Sequence, residues 1–249
     1  MKEDISIVIP VRNEESNIVV CLEAIKKTVK ILHRVIVVDG CSTDKTVEFV
    51  SKYAKQNRNV KLIRTSPQTS GFKESIEIGI KKTRTEYLVV MMGDLCDDPK
   101  TISIMHQRVE DGNDIVVGSR YMKGGKKIGE PRLQGFFSRY VNKTLRLLTG
   151  IPTHDVSNPF KLYRKSLLTK IQTASKANEV PIEVMYKAFF GGARISEVPT
   201  TWVGRKAGRS KFKMWKVIPG YAKLYVWVVI NSWVFHSRNL YNKLLAYHK

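Results

Sequence analysis

The sequence has few cysteines and no long apolar run. Cys21, Cys41 and Cys96 lie far apart and form no Cys-x-x-Cys pair, which argues against a disulfide framework and indicates a reducing compartment. The longest apolar run of the C-terminal region covers residues 224–230 and is far shorter than the about 20 residues of a membrane-spanning helix. The first ten residues are charged and lead into a strand, so we expect no secretory signal.

Acidic residues are also missing from one part of the chain. Residues 198–249 contain no Asp or Glu but ten Lys and Arg, and the net charge of the 249 residues is +21. Such a charge indicates a polyanionic partner: nucleic acid, an anionic membrane surface or a phosphorylated substrate. No recognisable nucleic-acid module is present, so we expect no nucleic-acid partner.

Short apolar runs alternate with helical patterns through the first half of the chain. Residues 5–10, 34–39 and 88–92 have the length and composition of buried strands. Amphipathic helices are predicted between them, as at residues 15–30. This alternation predicts an α/β fold with a doubly wound, mostly parallel sheet flanked by helices.

The chain is organised around residues 87–99, YLVVMMGDLCDDP. The apolar run is followed by Asp94, Asp97 and Asp98, and Pro99 suits the first position of a helix that Asp98 would cap. Ligands of parallel sheets collect beyond the carboxyl ends of the strands, where carboxylates can hold a hard divalent cation. Asp97 and Asp98 also suit ordinary cap and loop positions, whereas Asp94 follows the strand directly.

The C-terminal region differs in composition from the rest. It mixes Trp, Tyr and Phe with lysines and has no acidic residue, which is typical of helices that lie in the headgroup layer of a membrane. The alternative is an ordinary helix packed on the sheet. We therefore predict two parts, a domain at residues 1–212 and C-terminal interfacial amphipathic helices at residues 213–249.

Several motifs, taken in order, resemble the inverting family 2 glycosyltransferases. These are IVIPVRNEE, VIVVDGCSTD, the glycine before the third helix, GDLCDDP and IVVGSRYMKGG. The segments GSRY, HDVSNPFKLYRKSLL and GRKAGRSKF are similar to dolichyl-phosphate mannosyltransferases and related polyprenyl-phosphate sugar transferases. The resemblance implies a GT-A fold, a nucleotide-sugar donor, usually a divalent metal, and a lipid-phosphate acceptor.

The resemblance assigns a donor-binding role to residues near the strand ends. Pro10, Asn13 and Glu14 match the positions that hold the nucleoside, and Asp39 matches the carboxylate that meets the base. Gly71 matches a glycine where the backbone passes close to the nucleotide. The alternatives are a helix cap for Glu14, a turn to Ser42 for Asp39 and a plain turn at Gly71.

The metal motif of the family is altered here. Asp94 matches its second aspartate and is expected to be catalytic and to bind metal, but Met92 stands at the first aspartate and Cys96 where the mannosyltransferases have glutamine. Asp97 is the remaining candidate ligand. We therefore expect a weakened Mg²⁺ or Mn²⁺ site, with basic side chains as an alternative means of neutralising the leaving group.

Basic residues complete the predicted site. Arg120 and Lys211 are predicted to be catalytic through contacts with phosphate, and Arg205 and Ser210 belong with Lys211 to a loop that the family folds over the donor and acceptor phosphates. All of them could instead be solvated surface residues.

One further arginine of the family has no direct match. It falls on Gln134, with Arg132 and Arg139 on either side, and the sequence leaves open which of them replaces it. Asp155 lies where related transferases have an acidic residue near the acceptor. It would be the base for a hydroxyl acceptor, or it would orient Arg and Lys residues if the acceptor is a phosphate.

The resemblance implies transfer of a hexose to a polyprenyl or dolichyl phosphate with inversion at the anomeric carbon. The donor would be GDP-mannose or UDP-glucose. The alternatives are a soluble family 2 transferase acting on a hydroxyl, and an impaired binding protein on the same scaffold. We expect a peripheral location on the cytoplasmic side of a membrane, with a separate membrane subunit as a further partner.

Overall fold

The computed structural model describes residues 4–129, 132–175, 177, 179–205 and 214–247. The strands in this part of the chain are β1 (Ile5–Val11), β2 (His33–Asp39), β3 (Val60–Arg64), β4 (Tyr87–Val90), β5 (Ile115–Ser119), β6 (Lys126–Ile128), β7 (Lys161–Arg164), β8 (Ile195–Pro199) and β9 (Thr201–Val203). The α-helices are α1 (Ile18–Thr28), α2 (Thr46–Gln56), α3 (Phe72–Lys82), α4 (Thr101–Glu110), α5 (Arg132–Thr149), α6 (Lys165–Leu168), α7 (Val180–Phe190) and α8 (Met214–Tyr247).

A seven-stranded sheet forms the centre of the fold, in the order β3-β2-β1-β4-β7-β5-β8. The pairs β1–β2, β2–β3, β1–β4 and β5–β8 are parallel, and β7 runs antiparallel between β4 and β5. The predicted mostly parallel α/β sheet is thus confirmed. Because β1, β2 and β4 are parallel, their carboxyl ends meet at one edge of the sheet.

Helices cover both faces of this sheet, as the continuous apolar strands require. Ile5, Ile7 and Ile9 of β1 pack against buried side chains of α1, α2 and α4. Val8 points to the other face, where the buried cluster includes residues of α5, α7 and α8. Successive residues of one strand therefore contribute to two separate cores.

The predicted start of the fourth helix was two residues early. Pro99 was expected to be the first helical residue with Asp98 as its cap, whereas α4 begins at Thr101. The Asp98 carboxylate accepts the N–H of Lys100 at 3.0 Å, and its carbonyl accepts the N–H of Thr101 at 3.1 Å. Asp98 therefore accepts a backbone hydrogen bond as a cap residue does, although α4 itself begins two residues after Pro99.

The C-terminal region forms one helix, α8, where several helices were predicted. Pro219 lies inside it without ending it. Leu224 and Val228 of α8 are buried against the second core, and α8 packs along α5. Within the described residues, none of the helices has the length and hydropathy needed to cross a membrane.

A second, two-stranded sheet lies within the loops that follow the main strands. β6 and β9 pair in parallel, with Lys126 opposite Thr201 and Ile128 opposite Val203. Neither segment is among the strands predicted from the sequence. This pairing fixes the segment leading to Arg205 against the loop that follows β5.

Candidate active site at the carboxyl edge of the sheet

Unusual backbone geometry marks the carboxyl edge of the sheet. Among the described residues, three that are not glycine have a positive φ: Asn13 (54°), Cys41 (58°) and Leu95 (55°). They lie in the loops that follow β1, β2 and β4. Such conformations cost free energy and concentrate at functional sites, so this edge is the place to look for one.

Hydrogen bonds join the loops that follow β1 and β2. The N–H of Asn13 donates to Ser42 Oγ at 2.8 Å, and the N–H of Thr43 donates to Asn13 Oδ1 at 2.8 Å. The N–H of Ser42 in turn donates to Asp39 Oδ2 at 3.2 Å. Two predicted donor-binding residues, Asn13 and Asp39, are therefore parts of one hydrogen-bonded unit.

Asp39 combines both interpretations that the sequence left open. Its Oδ2 accepts the turn hydrogen bond from Ser42, whereas its buried Oδ1 has no hydrogen-bond partner among the described residues. A buried carboxylate oxygen without a partner is unfavourable unless a ligand supplies one. Oδ1 therefore suits a ligand N–H, and the role of Asp39 toward a base stays a prediction.

The backbone passes close to another segment at Gly40, a glycine that is not among the predicted site residues. A Cβ on Gly40 would lie 2.9 Å from the carbonyl oxygen of Ser70, whereas one on Gly71 would mainly meet the flexible end of Glu74. Gly71 itself has an ordinary φ of −72° and precedes α3. Pro10 is buried in β1 opposite Val38. Ligand contacts of Gly71 and Pro10 stay predictions.

Arg205 connects the loops that follow β1 and β4. Its Nη1 lies 3.0 Å from Glu14 Oε1, and its Nη2 lies 3.0 Å from Asp94 Oδ2. Glu14 is further held by the side-chain amide of Asn17 at 3.0 Å. Three predicted site residues thus meet in one ion-paired group, which we call the rim triad (Glu14, Asp94 and Arg205).

The rim triad is partly open to solvent. The Arg205 side chain is 22% exposed, against 9% for Glu14 and 11% for Asp94. Burial opposes the charge of the guanidinium, but Asp94 and Glu14 outweigh this effect and raise the pKa of Arg205. The guanidinium is therefore a permanent, partly accessible cation at the edge of the sheet.

The donor set around Asp94 does not fit a divalent cation. Asp94 Oδ2 is paired with Arg205, and Oδ1 accepts the N–H of Cys96 at 3.1 Å. Burial, together with Asp94, raises the pKa of the Cys96 thiol, so this residue is not a thiolate ligand. No group of three or more His, Cys, Asp or Glu among the described residues is arranged to hold a metal.

Asp97, the other predicted metal ligand, points into the protein. It is only 3% exposed, and its Oδ1 has no hydrogen-bond partner among the described residues. Burial, with a smaller contribution from Asp94, raises the pKa of Asp97 to about 7. A carboxyl group in this position is a poor ligand for a cation that would sit beside Asp94.

Arg120 forms the other main ion pair of this region. Its Nε and Nη2 donate to the two carboxylate oxygens of Asp155 at 2.7 and 2.8 Å, and Nη2 also reaches Ser157 Oγ at 3.2 Å. The backbone N–H of Arg120 adds a third bond to Asp155 at 3.0 Å. Asp155 therefore orients Arg120, and direct contact of Arg120 with phosphate stays a prediction.

A buried lysine, missed by the sequence analysis, lies near this pair. Lys161 is fully buried in β7, and its Nζ donates to the carbonyl oxygens of Val156 and Asn158. Burial lowers the pKa of Lys161 to about 7, although Asp155 acts in the opposite direction. The side chain braces the turn that carries Asp155.

Cationic side chains gather around Tyr121. Arg120, Lys127 and Arg139 lie 5.3, 5.6 and 5.6 Å from the ring centroid. Of the two arginines that flank Gln134, Arg139 lies against Tyr121, while the side chain of Arg132 is outside the described part. Ser210 and Lys211, like the predicted domain boundary after residue 212, also lie outside it.

Comparisons with known proteins agree with this fold. The chain is 28% identical over 216 residues to a dolichol-phosphate mannosyltransferase of Pyrococcus furiosus, covering 84% of the chain but only 59% of that protein. It is also 28% identical to a polyprenol monophosphomannose synthase of Mycolicibacterium smegmatis, covering 82% of the chain and 79% of that protein.

Solved structures with the same fold include two proteins in complex with uridine nucleotides. Glucosyl-3-phosphoglycerate synthase from Mycobacterium tuberculosis, in complex with Mn²⁺, UDP and glucosyl-3-phosphoglycerate, has a TM-score of 0.65 at 18% identity and covers 92% of this chain and 80% of that one. S. aureus TarS in complex with UDP-GlcNAc has a TM-score of 0.62 at 20% identity, over 92% and 67% of the two chains. The predicted GT-A-type fold is confirmed.

A match to a protein-family model shows the family to which this chain belongs. The model described as glycosyl transferase family 2 matches residues 6–172, more than half of the chain. This range contains β2, β4 and all but the first residue of β1, and it includes Asn13, Asp39 and Asp94. The chain carries a glycosyltransferase domain and belongs to glycosyl transferase family 2.

Proposed function

We propose that this domain transfers a hexose from a nucleotide diphosphate sugar to a polyprenyl phosphate, with inversion at the anomeric carbon. The main observation that supports this proposal is the continuous polar edge of the sheet. It has an unpartnered oxygen of Asp39 at one end and the cation Arg205 beside Asp94 at the other. A base N–H suits the first feature and a diphosphate the second. The names of the two curated relatives support the acceptor and favour GDP-mannose over UDP-glucose as donor.

The proposed reaction is a direct displacement. An anionic oxygen of the acceptor phosphate attacks the sugar C1 from the face opposite the nucleotide, a bond forms between C1 and that oxygen, and the bond from C1 to the diphosphate breaks. The electron pair leaves with the diphosphate. The chain positions the two substrates, and its basic side chains stabilise the leaving group. No proton has to be removed from the acceptor.

The geometry around Asp155 favours a phosphate acceptor over a hydroxyl. A hydroxyl needs a general base within hydrogen-bond reach of its proton. Asp155 was the candidate for that role, but it is fully buried and both of its oxygens accept bonds from Arg120. A phosphate needs no base, because its second pKa is near 6.

The first test is a transfer assay with the purified chain. Radiolabelled GDP-mannose and UDP-glucose are each offered with dolichyl phosphate in detergent, and label is measured in the organic phase. We expect one donor to give a labelled lipid. Asp39→Asn is expected to raise the donor KM about 10–100-fold, because it removes a charged hydrogen-bond acceptor.

The assay includes outcomes against the proposal. Label found on a hydroxyl acceptor but never on lipid would support the soluble transferase instead. Complete absence of donor turnover under all conditions would favour an inert binding protein. Asp111→Asn, at an exposed aspartate that follows α4, serves as the matched control variant, and its donor KM is expected to match that of the wild type.

An exposed apolar face supports a membrane surface as the partner. α5 shows a row of exposed apolar side chains, and α8, packed along it, exposes several more. The α5 sequence has four Arg and Lys and no Asp or Glu. Apolar exposure with only positive charge matches an anionic bilayer. The most exposed residues are Leu133, Phe136, Tyr140, Leu147, Val226, Ile230 and Trp233.

The membrane surface is tested by flotation with liposomes that contain anionic lipid. We expect the wild type to float at low salt and less at high salt, because the cations are screened. Phe136→Ser combined with Leu147→Ser is expected to reduce the bound fraction several-fold. Val20→Ser, which changes an exposed apolar residue of α1, is the matched control and should leave flotation unchanged.

Failure of the wild type to float at low salt would contradict the membrane proposal and leave the transfer reaction to be judged by its own assay. Location on the cytoplasmic side, and docking of a separate membrane subunit on the same face, stay predictions.

A further inference from the structure

We infer that this chain binds the diphosphate of its donor without a divalent cation, and that Arg205, held by Asp94 and Glu14, supplies the positive charge instead. The inference rests on the proposed function, since it concerns the same donor site. It differs from the sequence-based prediction of a weakened metal site at Asp94 and Asp97.

The first argument is the shortage of free oxygen ligands. Mg²⁺ takes oxygen ligands in a near-octahedral arrangement, commonly one or two carboxylates with phosphates and waters. At this edge Asp94 has one oxygen on Arg205 and the other on the Cys96 N–H. Asp97 is buried, Asp98 accepts the Lys100 N–H, and position 92 is a methionine. Asp94 thus has a partner on each oxygen, Asp97 is buried, and Asp98 has one oxygen on a backbone N–H, which leaves few oxygen ligands for a cation.

The second argument is competition for one oxygen. A cation on Asp94 Oδ2 would sit about 2.1 Å from it. Arg205 Nη2 already lies 3.0 Å from the same oxygen. The metal and the guanidinium would then be neighbours of like charge, so binding of one disfavours the other. A divalent cation on Asp94 Oδ2 is therefore disfavoured while Arg205 stays in place.

The third argument is that the guanidinium of Arg205 is held firmly beside Asp94, where a metal ion was predicted. Two carboxylates from two different loops fix the two terminal nitrogens of its guanidinium. Pairing of β9 with β6 holds the segment that leads to it. A guanidinium has five N–H donors, and its planar fork suits phosphate oxygens. Because the side chain is 22% exposed, part of it is accessible to a ligand.

Charge balance at the site is consistent with this role. The rim triad alone carries two negative charges and one positive, which would repel a diphosphate. The net charge of the 249 residues, +21, opposes this repulsion at long range. Arg205 then supplies the local contact with phosphate oxygens.

The test measures nucleotide binding, so that it does not depend on transfer activity. Binding of GDP and of UDP to the full chain is followed by calorimetry in EDTA, in Mg²⁺ and in Mn²⁺. We expect the Kd of the preferred nucleotide to change less than threefold between these conditions. Arg205→Ala is expected to raise the Kd in EDTA at least tenfold, with Arg205→Lys in between because it keeps the charge but not the fork.

Two variants make the test specific. Arg58→Ala removes an exposed arginine from the loop between α2 and β3, and its Kd should equal that of the wild type. Met92→Asp combined with Arg205→Ala frees Asp94 and adds a second carboxylate, so binding should become dependent on Mn²⁺. The unfolding transition of Arg205→Ala is measured alongside, to separate lost binding from lost folding.

The outcomes separate this inference from the proposed function. Binding that requires Mg²⁺ or Mn²⁺ in the wild type would overturn the inference and leave the transferase proposal intact. Equal binding by Arg205→Ala and wild type in EDTA would overturn it as well. Failure of both nucleotides to bind under every condition would overturn the proposed function, and the inference with it.

Discussion

Two arginine–carboxylate contacts near the same sheet edge have different surroundings. Arg120 and Asp155 are 9% and 0% exposed and share two side-chain bonds, whereas Arg205 is 22% exposed and divides its guanidinium between Asp94 and Glu14. The inner pair is closed to solvent and braced by Ser157. The outer group keeps part of its guanidinium accessible to a ligand phosphate. This difference in exposure indicates that the Arg120–Asp155 pair positions other groups, whereas Arg205 can bind a ligand.

The largest effect is expected when the inner pair is broken. Asp155→Ala leaves the Arg120 guanidinium buried without its partner, which typically costs about 3–5 kcal/mol. We expect the free energy of unfolding to fall by about that amount in denaturant titrations. The paired replacement Arg120→Met with Asp155→Leu should recover most of the loss, because neither charge is then left alone.

A loss well under about 1 kcal/mol for Asp155→Ala would contradict this description of the inner pair. It would mean that water or another carboxyl group reaches Arg120 when Asp155 is removed. Asp97 is one candidate, since the charge of Arg120 acts to lower the pKa of its carboxyl group.

Breaking the outer group is expected to have an intermediate effect on the free energy of unfolding. Arg205→Ala removes a partly exposed contact, so the unfolding free energy should change by at most about 1 kcal/mol. The same variant is expected to have its main effect on nucleotide binding. A large loss of stability with normal binding would reverse the comparison and make Arg205 a structural residue.

The smallest effect is expected at an exposed pair far from this edge. Arg164 Nη1 lies 2.7 Å from Glu86, which is 63% exposed, and Arg164 Nε also contacts Asp114 at 2.9 Å. Glu86→Gln should change the unfolding free energy by about 0.5 kcal/mol or less. A loss above about 1 kcal/mol would show that exposure alone does not rank the pairs. Urea titrations of all three variants place them on one scale.

The sheet could be predicted because local sequence is sufficient for it. The strands Ile5–Val11 and His33–Asp39 are built on short apolar runs, and such runs are stable only when covered on both faces. Their carboxyl ends then had to meet at one edge, which correctly grouped Asn13, Asp39 and Asp94. The antiparallel β7 could not be predicted in the same way, because strand direction depends on a long connection through α5.

The partners of the charged residues could not be predicted from the sequence. Arg205 is 191 positions from Glu14, and Arg120 is 35 positions from Asp155. No local pattern relates residues so far apart. From the sequence, Arg120 and Arg205 are therefore both expected to contact phosphate. In the structure Arg120 is turned inward, whereas Arg205 lies at the rim.

The exposed face of α5 shows the same limit. Its apolar residues recur at helical spacing, a pattern that usually indicates a core face. In the structure Phe136 and Leu147 are instead 64% and 80% exposed, while Leu145 of the same helix is 1% exposed. Which stripe faces the sheet depends on the packing of α5 against α8.

The sequence by itself determined the α/β class, the family motifs and the positive charge of the C-terminal region. These depend on composition and on the spacing of apolar residues, which are properties of neighbouring residues in the chain. Only the tertiary structure decided which carboxylate each arginine meets, which stripe of α5 is exposed and whether Asp94 is free for a metal. These depend on distances between residues remote in the chain, and a difference of a few ångströms turns an exposed ligand into a buried ion pair.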